Sequence, residues 1–242
     1  MARSRYDIVK EEDDFIIVNK PAGLLSIPGR YDNEGAVDSL QSLLKRDYKE
    51  IYTVHRLDKD TSGLMIFAKN ADAHKALNLK FEHNEVIKTY IGIAEGILQK
   101  DNMTIDQPIA KDLSRPGCMK VFAKGKPSIS HITVKERFNN FTLIEVKIET
   151  GRTHQIRVHM QYAGHPLVSD PLYGIRNELY IDDIKKRVNR SKFEEHRVPL
   201  IKRTALHAYA LSFQYKGIDC EFSVEPPKDI RAAINQIKKH GN

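Results

Sequence analysis

Apolar positions along this 242-residue chain come in short runs whose spacing switches between strand-like and helix-like. Phe15-Ile-Ile-Val18, closed by Asn19-Lys-Pro-Ala-Gly23, predicts a first strand, and Leu24-Leu25-Ser-Ile27 leads into a Pro28-Gly29-Arg30 turn. Over residues 35–47 Val37, Leu40, Leu43 and Leu44 recur three and four apart. That spacing predicts an amphipathic helix, with Lys45 and Arg46 suited to its C-terminal end. Thr53 to Leu57 reads as a short strand. A polar turn, Asp58 to Gly63, separates it from the apolar run Leu64 to Ala68.

A second helix is predicted over 71–83 on the stripe Ala73, Leu77 and Phe81. Val86 to Ala94 alternates as a strand should, with Ile87, Ile91 and Ile93 on one face and Lys88 and Tyr90 on the other. His131 to Phe138 and Phe141 to Thr150 form a hairpin turning at Asn139-Asn140. Thr153 is placed to cap a helix that runs to Tyr162 and stops at Gly164 and Pro166. Strands at 208–213 and 221–224 and a basic helix over 229–239 close the chain. Strands outnumber helices and several adjoin through short turns, so the expected fold class is α+β, a single domain over 1–242 with much antiparallel pairing.

Two segments carry candidate chemistry. In the first, His55-Arg-Leu-Asp58 runs into Lys59-Asp-Thr-Ser-Gly63, so a strand delivers an arginine and an aspartate to a tight turn before a buried strand resumes. The same composition suits an ordinary turn, and neighbouring turn aspartates such as Asp58 and Asp60 commonly cap backbone amides. In the second, Gly151-Arg-Thr-His-Gln-Ile-Arg-Val-His159 packs Arg152, His154, Arg157 and His159 into the opening of a helix, where cations oppose the macrodipole. A docked anion would relieve that conflict; a solvated basic face is the alternative. His154 and His159 are five apart with no cysteine nearby, which does not suit a zinc pair, and no metal is expected. Walker, dinucleotide-binding, nucleophile-elbow and Cys-x-x-Cys motifs are absent.

Composition changes the picture only in part. Lys plus Arg number 39 against 32 Asp plus Glu, a net charge of +7 that fits a polyanionic partner. Cys118 and Cys220 suit free thiols in a reducing compartment rather than a disulfide framework. No apolar targeting segment opens the chain, and no apolar run approaches the ~20 residues that span a bilayer. A soluble cytoplasmic protein without membrane contact is expected. Taken this far, the residues describe a basic α+β enzyme or nucleic-acid binder.

His55-Arg-Leu-Asp-Lys-Asp-Thr-Ser-Gly63 resembles the catalytic motif of the RluA family of RNA pseudouridine synthases. Asn19-Lys-Pro-Ala-Gly-Leu-Leu-Ser-Ile-Pro-Gly-Arg30 resembles its opening motif and Lys88-Thr-Tyr90 its Lys-x-Tyr strand. Gly151 to His159, with Gly164-His-Pro166 and Asp170-Pro-Leu-Tyr173, resembles its third block; Leu206-His-Ala208 and Pro226-Pro-Lys-Asp229 resemble its close. Five blocks in order make the likeness specific.

The resemblance implies a central, mostly antiparallel mixed sheet flanked by helices, with an RNA cleft between two halves. It implies cofactor-free isomerisation of uridine in RNA. Asp58 takes the place of the essential aspartate, Tyr90 of the tyrosine that stacks on the target base, and Arg157 of the arginine paired with the aspartate. Arg56 matches the arginine that fills the gap left by the flipped nucleotide, and Leu206 an aliphatic residue of the base pocket. Lys20, Arg30, Arg152 and His154 are the further candidate RNA contacts.

The core begins by about Phe15, which leaves no room for the N-terminal S4 domain that many members carry, so RNA affinity is expected from the core itself. The stretch 175–204 looks like an insertion and carries nine Lys and Arg against five Asp and Glu. Its Lys185, Lys186, Arg187 and Arg190 are expected to grip RNA backbone, with a solvated loop as the alternative. The opening looks most like the subgroup acting on both 23S rRNA and the tRNA anticodon stem-loop, working as a monomer. A tRNA-only relative, a non-catalytic RNA-binding or chaperone protein on the same fold, and a glycosidase using Asp58 and Asp60 are the competing readings.

Overall fold

The computed structural model describes residues 6–29, 38–185 and 198–240. In chain order the first half contains β1 (Asp7–Glu11), β2 (Phe15–Lys20), α1 (Leu40–Asp47), β3 (Tyr52–Thr53), β4 (Ser62–Ala68), α2 (Ala71–Glu82), β5 (Ile87–Glu95) and β6 (Asn102–Asp106). Then come β7 (Ile109–Lys111), β8 (Met119–Val121), β9 (Ile129–Arg137), β10 (Phe141–Ile148), α3 (Gln155–Tyr162), β11 (Leu206–Tyr215), β12 (Ile218–Ser223) and α4 (Lys228–His240). The fold is α+β. The described residues fall into two compact units, within 1–88 with 207–225 and within 89–206 with 226–242.

In the first unit β2 pairs antiparallel with β1 and β4, and β11 runs parallel to β4 and antiparallel to β12. Phe15 to Val18 and all of β4 are buried on both faces, which is why these strands read as unbroken apolar runs rather than alternating ones. One face meets α2 through Ala73 and Leu77, and Phe15 makes edge contacts with Phe213 and Tyr215 at 5.7 and 5.3 Å. Helix α1 begins at Leu40, later than the apolar spacing suggests, because Ser39 caps it: the Ser39 hydroxyl accepts from Ser42 N–H while the Ser42 hydroxyl accepts from Ser39 N–H. Residues 30–37, including Arg30 and Val37, lie outside the described residues.

In the second unit β9 and β10 form the expected hairpin, Thr142 opposite Arg137, and β6 adds antiparallel to β9. Helix α4 presents Ile230, Ala233 and Ile237 to a core that includes Ile93, Phe141 and Val168. The ends of the 175–204 stretch belong to that core, since Leu179, Ile184 and Ile201 are buried in it. Arg176 pins the segment further, on Glu95 at 2.6 Å and Asp183 at 3.1 Å. Of the basic residues expected to grip RNA, Lys186, Arg187 and Arg190 lie outside the described residues.

Strand β5 departs from simple alternation. Ile87, the first residue of the strand, is exposed, whereas Lys88 and Tyr90 are buried as Ile93 is, because beyond its start the strand is covered on both faces. Helix α3 starts at Gln155 rather than after Thr153: His154 takes a left-handed conformation, φ +56°, and occupies the N-cap position without a side-chain cap.

Where β4 meets β11 the two backbones touch. Gly63 sits opposite Ala208 at φ +118°, and a Cβ on it would lie 2.2 Å from the Ala208 carbonyl oxygen. Gly63→Ala is expected to destabilise the protein by about 3 kcal/mol or more. Urea denaturation of wild type and variant checks this; an unchanged midpoint would contradict the packing at that position.

Candidate active site

The first unit, taken by itself, carries the turn that holds Asp58. Just upstream, the His55 ring stacks on Phe81 at 4.7 Å, and its Nε2 accepts from Ile66 N–H at 3.1 Å, which leaves the ring proton on Nδ1. Burial, with the Lys88 charge adding to it, pushes the His55 pKa down to about 3. His55 is therefore a neutral structural acceptor at physiological pH. Leu57 is buried, and Ser26 clamps its backbone from both sides: the hydroxyl donates to Leu57 O at 2.7 Å and accepts from Leu57 N–H at 3.0 Å. Arg56, between them, is exposed.

On the far side of Asp58 the Lys59 carbonyl accepts from Gly23 N–H at 2.9 Å and from the Lys20 ammonium at 3.0 Å. Asp58 is thus strung between two backbone anchors, both supplied by the segment 20–26. Gly23 can take part because it sits at φ +83°, a conformation that strongly favours glycine.

Lys20, expected among the RNA contacts, is fully buried, and its ammonium also donates to Pro21 O at 3.0 Å and Leu24 O at 2.8 Å. In this position it ties the 21–24 loop to the Asp58 turn. Across the same strands the His207 ring bridges Ser62 Oγ and Val224 O at 2.9 Å each, holding β11 beside the end of the turn.

The second unit, taken by itself, carries Tyr90, Leu206 and the start of α3. Tyr90 and Leu206 are both buried. They lie on neighbouring segments: Ile93 N–H donates to Ala205 O at 3.1 Å, and Gly92, two residues from Tyr90, packs closely against Leu206. Arg203 reaches the Asp229 carboxylate through two nitrogens at 2.7 and 3.0 Å and the Leu206 carbonyl at 3.3 Å, so the two closing sequence blocks meet at one guanidinium.

Arg157 is buried on α3, its Nε and Nη2 donating to the two Asp170 oxygens at 2.7 and 2.8 Å. The Tyr173 ring lies 5.0 Å from the guanidinium carbon. The anion that relieves the cation at this helix start is thus, at least in part, a carboxylate of the chain itself. Leu172 and Tyr173 N–H groups hold Asp170 Oδ1 at 3.0 and 3.1 Å. The Tyr173 hydroxyl accepts from Met119 N–H at 2.7 Å and meets His154 Nδ1 at 2.8 Å, with burial pushing its pKa up to about 12. Arg152 reaches Pro127 O at 3.1 Å, and its N–H is held by Gln155.

His159 is fully buried, with Nδ1 on Ser130 Oγ and Nε2 on Gln107 O at 2.9 Å each, and burial lowers its pKa. Sequence reading named Arg157 and the 170–173 block but not the bonds that join them; nor did it single out Ser26. The described residues hold no cluster of three or more ligands suited to a metal ion, and no helix among them is long and apolar enough to cross a membrane.

With this geometry in place, comparison with known proteins is decisive. Residues 14–162 match the family described as RNA pseudouridylate synthase. The chain belongs to that family. It is 39% identical to "Ribosomal large subunit pseudouridine synthase D" of Buchnera aphidicola over 96% of this chain and 73% of the relative. To the protein of the same name from Escherichia coli it is 36% identical, over 96% and 70%. Among solved structures, "Human RNA Pseudouridylate Synthase Domain Containing 1" superposes with a TM-score of 0.69 at 27% identity, covering 92% of this chain and 84% of that one. As a pseudouridine synthase the chain is an isomerase that converts uridine to pseudouridine in RNA, and its fold is the synthase fold.

Two predictions follow from the synthase's buried ionisable groups. Lys20→Met removes the ammonium that the Pro21, Leu24 and Lys59 carbonyls share, leaving Lys59 O with the Gly23 N–H. Stability should fall by about 2–4 kcal/mol and turnover by more than tenfold in protein whose circular dichroism is native. Full activity would show that the Asp58 turn does not need the strut. The second concerns pH. His55 and His159 resist protonation when folded but accept a proton near pH 6.5 when unfolded. Their contribution is complete above that pH and is lost as pH falls below it, at up to about 1.4 kcal/mol per unit per histidine. Chemical denaturation between pH 7 and 5 measures the slope, and His159→Gln should flatten it.

Proposed function

We propose that this synthase isomerises specific uridines of large-subunit ribosomal RNA with Asp58 as the essential carboxylate. The supporting observation is the double anchoring of Asp58, with Leu57 clamped by Ser26 before it and Lys59 O held by Lys20 and Gly23 after it. A carboxylate that must attack one carbon of one extruded nucleotide needs a fixed backbone, because a misplacement of about 1 Å costs on the order of a hundredfold in rate. The RNA class is supported by the names of the curated relatives, and the net charge of +7 suits a polyanion.

In the reaction the N1–C1′ bond breaks, the uracil turns while held, and a C5–C1′ bond forms. C5 gives up its proton and N1 gains one, so atoms and electrons balance without a cofactor. Asp58 acts as the nucleophile, and the bond it forms is broken again before the product leaves. Tyr90 stacks on the uracil and serves the C5 proton, Leu206 lines the base pocket and Arg157 is a fixed cation of the site. Arg56 fills the vacancy left by the extruded nucleotide, which offsets part of an unstacking cost of a few kcal/mol. Arg152 and His154 contact the RNA backbone.

Release of tritium from C5-labelled uridine in separate rRNA and tRNA transcripts tests the reading. Wild type should release it from the rRNA, while Asp58→Asn folds, binds the same RNA and releases none. Turnover by Asp58→Asn would remove the nucleophile assignment; release from tRNA alone would reassign the substrate.

A further inference from the structure

The first unit contains a groove of about 580 Å³ beside the Asp58 turn, and apart from Arg56 none of its lining residues has a role in the reaction above. Its walls include Pro28, Gln41, Tyr52, Thr53, Arg56 and His74. The Tyr52 and His74 rings are already stacked on each other, centroids 5.1 Å apart and 23° from parallel, so an aromatic platform exists before any ligand arrives. The Thr53 hydroxyl oxygen is buried and has no hydrogen-bond partner among the described residues. Such a group is costly to leave unsatisfied, and a turn of the Thr53 side chain toward the groove would let a ligand atom pair with it. Arg56 is exposed. A flat heterocycle with a polar edge and an attached anion answers all of these features together.

We propose that this groove is a nucleotide subsite that receives the RNA residue adjacent to the target uridine. The inference rests on the pseudouridylation reading above and adds to it a contact that fixes which uridine is presented. The base lies against the Tyr52–His74 platform with its edge toward Thr53 and Gln41, and its phosphodiester faces Arg56. Arg56 stands two residues before Asp58, about 7 Å of extended chain, the reach of one nucleotide. Stacking on aromatic rings tolerates any base, whereas the Thr53 and Gln41 groups discriminate by donor and acceptor pattern.

The test uses the full chain and an rRNA transcript that wild type modifies, with 4-thiouridine placed next to the target. Irradiation should cross-link that nucleotide to the 52–56 segment or to His74. Tyr52→Leu and Thr53→Val, verified as folded by thermal melts, should each raise KM about tenfold with kcat within twofold. The effect should vanish when the adjacent nucleotide is abasic. Cross-links elsewhere together with unchanged KM would overturn the subsite and leave the enzyme reading intact, whereas absence of wild-type turnover on any RNA would overturn both. A free mononucleotide that blocks the cross-link at micromolar concentration would identify a free-nucleotide site instead and also overturn the assignment.

Discussion

A positive charge taken out of water must be met by acceptors, and this requirement organises both units. An isolated buried cation costs many kcal/mol, so the chain around it is bound to converge on it. In the first unit the cation is Lys20, and the acceptors include carbonyls from the loop after it and from the turn that carries Asp58. In the second it is Arg157, met by both oxygens of Asp170, which is itself held by backbone N–H groups of Leu172 and Tyr173. The two solutions differ because the side chains differ. An ammonium is a point charge that several carbonyls can surround, while a planar guanidinium matches a carboxylate edge to edge. In each case satisfying the charge also freezes a loop, and the frozen loops are those with which the family motifs coincide.

Much of the fold was legible in the sequence for simple reasons. The runs Phe15 to Val18 and Leu64 to Ala68 are apolar throughout because both faces of those strands are covered. The stripe Ala73 and Leu77 reports the buried side of α2, and Asn139-Asn140 marks the turn of the β9–β10 hairpin. What escaped was governed by backbone or by distant partners. Strand β1 is exposed along its whole length and has no apolar signature. The start of α3 moved because His154 adopts a left-handed conformation that spacing does not encode.

The site divides in the same way. Asp58 stood out because the motif around it is long and ordered, but the groups that fix it did not. Lysine is normally a surface residue, and the carbonyls that bury Lys20 belong to the main chain, which leaves no mark on residue identity. Asp170 lies thirteen positions beyond Arg157, so the pairing that decides the state of the arginine crosses a helix and a loop. His159 looked like part of a basic cluster and is instead a neutral member of the interior, bonded to Ser130 and Gln107.

Membership of the pseudouridine synthase family accounts for why two anchored loops are worth building: the reaction rearranges one glycosidic bond, and the protein's work is to hold groups still around a base that turns. The proposed substrate is large-subunit ribosomal RNA. The most direct measurement is to incubate large-subunit rRNA with the protein, digest it to nucleosides and separate pseudouridine from uridine. Conversion at one or a few positions, stoichiometric with RNA, is the predicted result; complete recovery as uridine from rRNA, tRNA and total RNA alike would contradict the account.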